Sequence, residues 1–113
     1  MALHFLDASV LVKYYVREPG STWVRDLIDA RVGESGRPAH LIFIADITVA
    51  EVAAAFAVLH RTGRIGRRLW DGAFDQLMAD VATRYQLVPT GHADFIEAAG
   101  LTRRHPLKAY DAV

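Results

Sequence analysis

Leu3-His4-Phe5-Leu6-Asp7-Ala8-Ser9-Val10-Leu11-Val12-Lys13-Tyr14-Tyr15 is the stretch that decides the fold. Its first four residues form a short apolar run, readable as a buried strand, that ends at a carboxylate. From Ala8 to Val16 the pattern turns helical, with Leu11, Tyr14 and Tyr15 on one side, until Pro19-Gly20 stops it. The same sequence of events recurs downstream. Leu41-Ile42-Phe43-Ile44-Ala45 is a second apolar, β-branched run ending in an acid, Asp46. From Val49 the apolar positions 49, 52, 53, 56 and 59 follow helical spacing, with Gly63 as the stop.

The intervening segments complete the pattern. Ser21 or Thr22 is expected to cap a second helix, in which Trp23 and Leu27, and Val24 and Ile28, make one apolar face. Gly33-Glu34-Ser35-Gly36-Arg37-Pro38 reads as a surface loop. Leu69, Trp70, Phe74, Leu77, Met78, Val81 and Tyr85 mark a fourth helix, and Leu87-Val88 a brief third strand before Pro89. Asp94 to Arg104 reads as a fifth helix, and Leu107 to Val113 as the start of a sixth. Strands alternating with helices predict an α/β domain: a three-layer α/β/α arrangement with a central parallel sheet. At 113 residues, the whole of 1–113 is expected to be one domain.

Composition narrows the function classes. The chain is 52% hydrophobic and 23% charged, the balance of a folded protein rather than a disordered one. Lys+Arg and Asp+Glu number 13 each, so any polyanion site must be local rather than a property of net charge. There is no cysteine, which excludes disulfides and thiolate metal sites. The N-terminus lacks the basic start of a signal peptide, and the most apolar stretch, Ile47 to Leu59, is short of the ~20 residues that span a bilayer. A cytoplasmic location with no membrane contact is the expectation. Five histidines show no paired spacing suited to zinc.

Three acids stand out, and each has an ordinary explanation. Asp7 follows a strand, where a carboxylate serves either as a ligand-binding group or as a helix cap. Thr48-Val49-Ala50-Glu51 matches a capping box, in which Glu51 would reach back to the N-cap backbone. Asp111, in an apolar helix-starting context, would suit a helix dipole. Taken together they imply more. Two carboxylates ~5 Å apart repel by roughly 3 kcal/mol at an effective dielectric of 20, so a cluster requires a cation or shared protons. With oxygen ligands alone, Mg²⁺ or Mn²⁺ is the natural occupant.

Phe5 to Tyr15, with Glu18-Pro19-Gly20-Ser21 just after it, resembles the opening of PIN domains, especially VapC-type toxins of toxin–antitoxin pairs, and Ile47 to Val52 and His105 to Ala112 resemble the family's second and third acidic blocks. The resemblance implies that Asp7, Glu51 and Asp111 hold Mg²⁺ or Mn²⁺ and that Ser9 supports the ligands from behind. It implies hydrolysis of an RNA phosphodiester, a VapB-type antitoxin as partner, and pairing of the chain with itself. Domains of this kind continue beyond the third acid through a longer helix, another strand and an Asp or Asn. This chain ends two residues after Asp111, so the resemblance implies a domain incomplete at its C-terminus and lacking the last strand or strands.

Two basic clusters are candidates for holding RNA phosphates. Arg103, Arg104, His105 and Lys108 adjoin Asp111 and are candidate phosphate contacts. Arg61, Arg64, Arg67 and Arg68 surround a glycine-containing turn and read first as a solvated helix end. Two other functions compete with the nuclease: a non-catalytic module that binds an antitoxin or its own copy, and an enzyme using Asp7 as nucleophile. Ser9 stands where the second acid of aspartyl-phosphate enzymes is usual, which counts against the latter.

Overall fold

The computed structural model describes residues 2–89. The helices expected after Asp94 and Leu107 lie outside those residues, as do Asp111, Arg103, Arg104 and Lys108. The described chain is α/β. Strand β1 (Ala2–Phe5) leads into helices α1 (Ala8–Tyr15) and α2 (Ser21–Asp29). A hairpin of β2 (Arg31–Val32) and β3 (Arg37–Pro38) follows, then β4 (His40–Ala45), α3 (Asp46–Arg61), α4 (Arg67–Thr83) and β5 (Gln86–Val88).

The central sheet is parallel, in the order β1-β4-β5, with Phe5 beside Phe43 and Ile44 beside Leu87. Both crossovers, β1 to β4 and β4 to β5, advance in the same direction across the sheet. Right-handed connections therefore put α1 to α4 on one face. The packing agrees, because Leu6, Ile42 and Ile44 join Leu11, Val24, Val52, Phe56 and Leu77 in one buried cluster. The opposite face carries Leu3, Phe5, Leu41 and Phe43. This explains a departure from expectation: Leu3, anticipated as buried, is 63% exposed, because it points away from the described helical layer.

Three local expectations are corrected. Ser21 does not cap α2; the N-cap is Gly20, at φ +93°, with no side-chain hydrogen bond. The buried Ser21 hydroxyl instead accepts from the Glu18 N–H (2.8 Å) and donates to the Val16 carbonyl (3.1 Å), closing the loop before the helix. The segment expected as a plain loop makes the β2–β3 hairpin, with turn glycines Gly33 and Gly36 both at φ +68°. The Thr48 capping box does not form. Helix α3 starts directly at the end of β4, with Ala45 as its N-cap, so Thr48 falls inside the first turn and Glu51 lies beyond it.

Thr48 is fully buried, and its hydroxyl has no hydrogen-bond partner among the described residues. A buried polar group in that state destabilises the fold, and valine keeps the shape without the hydroxyl. Thr48→Val is expected to raise the unfolding free energy by about 1 kcal/mol in urea titration. A loss of stability would mean that the hydroxyl is satisfied.

Candidate metal centre at the carboxyl edge of the sheet

Asp7 sits where β1 ends and α1 begins. Its backbone is extended (φ −89°, ψ 175°), and it is the N-cap of α1. Oδ1 accepts the Val10 N–H at 2.9 Å and the Ser9 hydroxyl at 2.8 Å. Among the described residues nothing donates to Oδ2. The cap foreseen for this acid is thus observed, and it uses Oδ1, which leaves Oδ2 without a hydrogen bond among the described residues. Ser9, half of the polar grip on Oδ1, fixes the carboxylate's orientation.

The register places a second acid beside it. The Leu6 N–H donates to the Phe43 carbonyl at 3.0 Å, so Asp7 and the Ala45–Asp46 junction share the carboxyl edge of the sheet. Asp46 opens α3, where a negative charge suits the helix dipole. It was legible as the end of an apolar run but carried no sign of its proximity to Asp7. Glu51 lies exposed on α3, about 8 Å along the axis from Asp46. Without the capping box, no backbone group among the described residues engages it, and α3 packs directly on α1.

No group of three or more His, Cys, Asp or Glu side chains is set to hold a metal among the described residues, and Asp111 lies outside them. The donors that are described fit a hard cation by their chemistry: carboxylate oxygens without thiolate, one of them braced by Ser9 and open at Oδ2. The three described histidines make ring contacts instead. His4 meets His40 edge-on at 4.9 Å, and His60 stacks on Trp70 at 4.5 Å.

The most developed polar array is distant from this edge. Asp80, 2% exposed, accepts from the Tyr15 hydroxyl (2.8 Å) and from Gln76 Nε2 (3.0 Å), with the Arg84 guanidinium at 3.6 Å. Tyr15 and Tyr85 share a hydrogen bond between hydroxyls. Arg84 also donates to the Tyr14 hydroxyl, Asp29 and the Ile28 carbonyl, so α1, α2 and α4 are tied together. Sequence reading placed Tyr14 and Tyr15 on an apolar face but gave no hint of Asp80, which looks like any surface acid on α4. Burial pushes the Tyr15 and Tyr85 hydroxyls well above the usual tyrosine range. Tyr14 rises too, from burial and then from its bond to Asp29. Burial acts to raise Asp29, but Tyr14 and Arg84 outweigh it and hold that carboxyl low.

A consequence for pH follows. Tyrosines unfolded ionise near pH 10, whereas Tyr14, Tyr15 and Tyr85 keep their protons in the fold above that value. The unfolded state then binds fewer protons, so stability is intact below about pH 10 and declines as pH rises beyond it. The melting temperature is expected to fall steeply above about pH 10. Tyrosinate absorbance for these three residues should appear together with unfolding. Their ionisation in the folded chain near pH 10 would contradict this.

In parallel α/β sheets ligands generally bind beyond the carboxyl ends of the strands, the edge that Asp7 and Asp46 share here. The PIN domain family profile matches residues 4–113, nearly the full length, and the chain belongs to that family. PIN domains are a nuclease fold, generally dependent on divalent metal ions and commonly acting on RNA. No match is found among curated proteins. No described helix is long and apolar enough to cross a membrane.

Proposed function

We infer that the chain is a metal-dependent endoribonuclease domain of the VapC type, in which Asp7, Glu51 and Asp111 hold Mg²⁺ or Mn²⁺. The observation that carries this reading is the divided carboxylate of Asp7 at the strand end: Oδ1 is committed to Val10 and Ser9, and Oδ2 has no hydrogen bond among the described residues. These residues would hold a cation that, when bound, would supply water of lowered pKa and offset charge developing on the phosphate. Asp7 and Glu51 contribute negative charge, and Ser9 keeps Asp7 in one rotamer. Arg103, Arg104 and Lys108, adjacent in sequence to Asp111, supply positive charge for RNA phosphates.

The partners follow the same reading: an RNA substrate, a VapB-type antitoxin and a second copy of the chain, in the cytoplasm. Large apolar side chains left exposed, Trp23 at 54% and Leu69 at 48%, suit protein contacts of this kind.

The test is cleavage of a structured RNA by the purified chain. Cutting should require Mg²⁺ or Mn²⁺, stop with a chelator and resume on adding the metal. Glu51→Gln should reduce it at least ~100-fold, more than the loss typical of residues behind the ligands. Antitoxin binding without cleavage in either metal would leave the non-catalytic module as the better account.

A further inference from the structure

The turn joining α3 to α4 gathers Arg61, Arg64, Arg67 and Arg68, all of them exposed. Such a concentration in a chain of zero formal net charge calls for a cause. The helix dipole accounts for Arg61, which lies with His60 in the last turn of α3. It cannot account for Arg67 and Arg68. These open α4, at the positive end of its dipole, with no acid in the first turn and no side-chain cap from Gly66. Arg67 meets Asp71 at 3.3 Å, but both side chains are more than 60% exposed, where such a pair contributes little. Among the described residues, the side chains of Arg61, Arg64 and Arg68 have no hydrogen bond or ion pair.

The corner is also firmly held. Ile65 is buried at its centre, and the Leu59 carbonyl accepts the N–H groups of Arg64 (2.9 Å) and Ile65 (3.3 Å). His60 Nδ1 lies 3.2 Å from the Ile65 carbonyl, and the Arg67 guanidinium rests 5.4 Å from the Trp70 ring centroid. The arginines are therefore displayed on a fixed turn. Helix α3 begins at the carboxyl edge and ends here, which separates the cluster from Asp46 by about 22 Å.

The geometry points to the Arg61, Arg64, Arg67 and Arg68 corner as a contact site for the RNA phosphate backbone, remote from the cleavage edge. Arginine's planar fork suits phosphate oxygens, and an anion there relieves both the mutual repulsion and the unfavourable dipole of α4. This rests on the reading of RNA as substrate, and its test separates the two.

Binding of a labelled 20-nucleotide RNA is measured in chelator, so that no cutting occurs, across a range of salt. In the variant R61Q/R64Q/R67Q/R68Q the affinity should fall at least ~10-fold, and the slope of log affinity against log salt should shrink by roughly 2–3. The corresponding four Arg→Lys changes, which keep the charge but not the planar fork, should restore the slope and part of the affinity. R61Q/R64Q, which leaves Arg67 on Trp70, should show about half the slope change. An unaltered affinity and slope overturns the proposal, as does failure of the unmodified chain to bind the RNA. Cleavage of a tetranucleotide, too short to reach the corner, should be equal in all variants; a matching loss there also overturns it. If the corner binds RNA as described while no metal permits cutting, the nuclease reading alone fails.

Discussion

Asp7→Asn is expected to abolish metal-dependent RNA cleavage, by at least ~100-fold, while leaving the fold almost as stable as before. The asymmetry arises from the two oxygens of this carboxylate. Asparagine retains an oxygen to accept from the Val10 N–H and the Ser9 hydroxyl, and it is about as good an N-cap as aspartate. What it loses is the carboxylate's negative charge, which a hard cation requires of its oxygen ligands. Asp7→Ala removes the cap as well and should cost a further ~1 kcal/mol of stability. The informative measurement is the pair: cleavage rate and urea unfolding on both variants. If the asparagine variant still cuts RNA at the unmodified rate, Asp7 is a cap and no more. Ser9→Ala provides a graded companion. It frees Asp7 to rotate without altering charge, so a loss of 10–100-fold in metal affinity or activity is expected.

Asp80→Ala is expected to produce the largest loss of stability, ~3–5 kcal/mol. The aspartate is buried and receives Tyr15 and Gln76 while lying beside Arg84. Deleting it leaves the Tyr15 hydroxyl and the guanidinium without their shared anion in a region of low dielectric. Against a typical total of 5–15 kcal/mol, that loss brings the chain close to unfolding. Asp80→Asn, which keeps the shape and part of the hydrogen bonding, should cost less. Unfolding midpoints of the two variants check the ranking. A cost below ~1 kcal/mol for alanine would show that the array tolerates a missing member. The network lies away from the carboxyl edge, so cleavage per folded molecule should survive in Asp80→Asn.

These two acids also show how much of the molecule could be read from residues in order. Asp7 was visible because it interrupts a change of period: apolar strand before it, helical spacing after it. Asp80 was invisible because the partner that marks its burial, Tyr15, stands 65 residues away, while Gln76 and Arg84, four residues to either side, resemble ordinary surface-helix pairs. The capping box at Thr48 failed for a related reason. Its local pattern is valid, but β4 delivers the chain into helix at Asp46, so the motif arrives one turn late. Ser21 likewise has the chemistry of a cap and is used to close the preceding loop instead.

Amino-acid order by itself determined the alternation of three strands with helices, the parallel sheet it demands and the placing of an acid at the end of the first strand. These follow from side-chain periods of two and 3.6, which each segment carries within itself. Tertiary structure alone decided which sheet face the described helices cover, that Asp46 joins Asp7 at one edge, that Asp80 is buried against two tyrosines, and that Arg67 and Arg68 oppose their own helix dipole. Each of those depends on where one element ends against another, and the free energy that sets it belongs to contacts between residues distant in the chain.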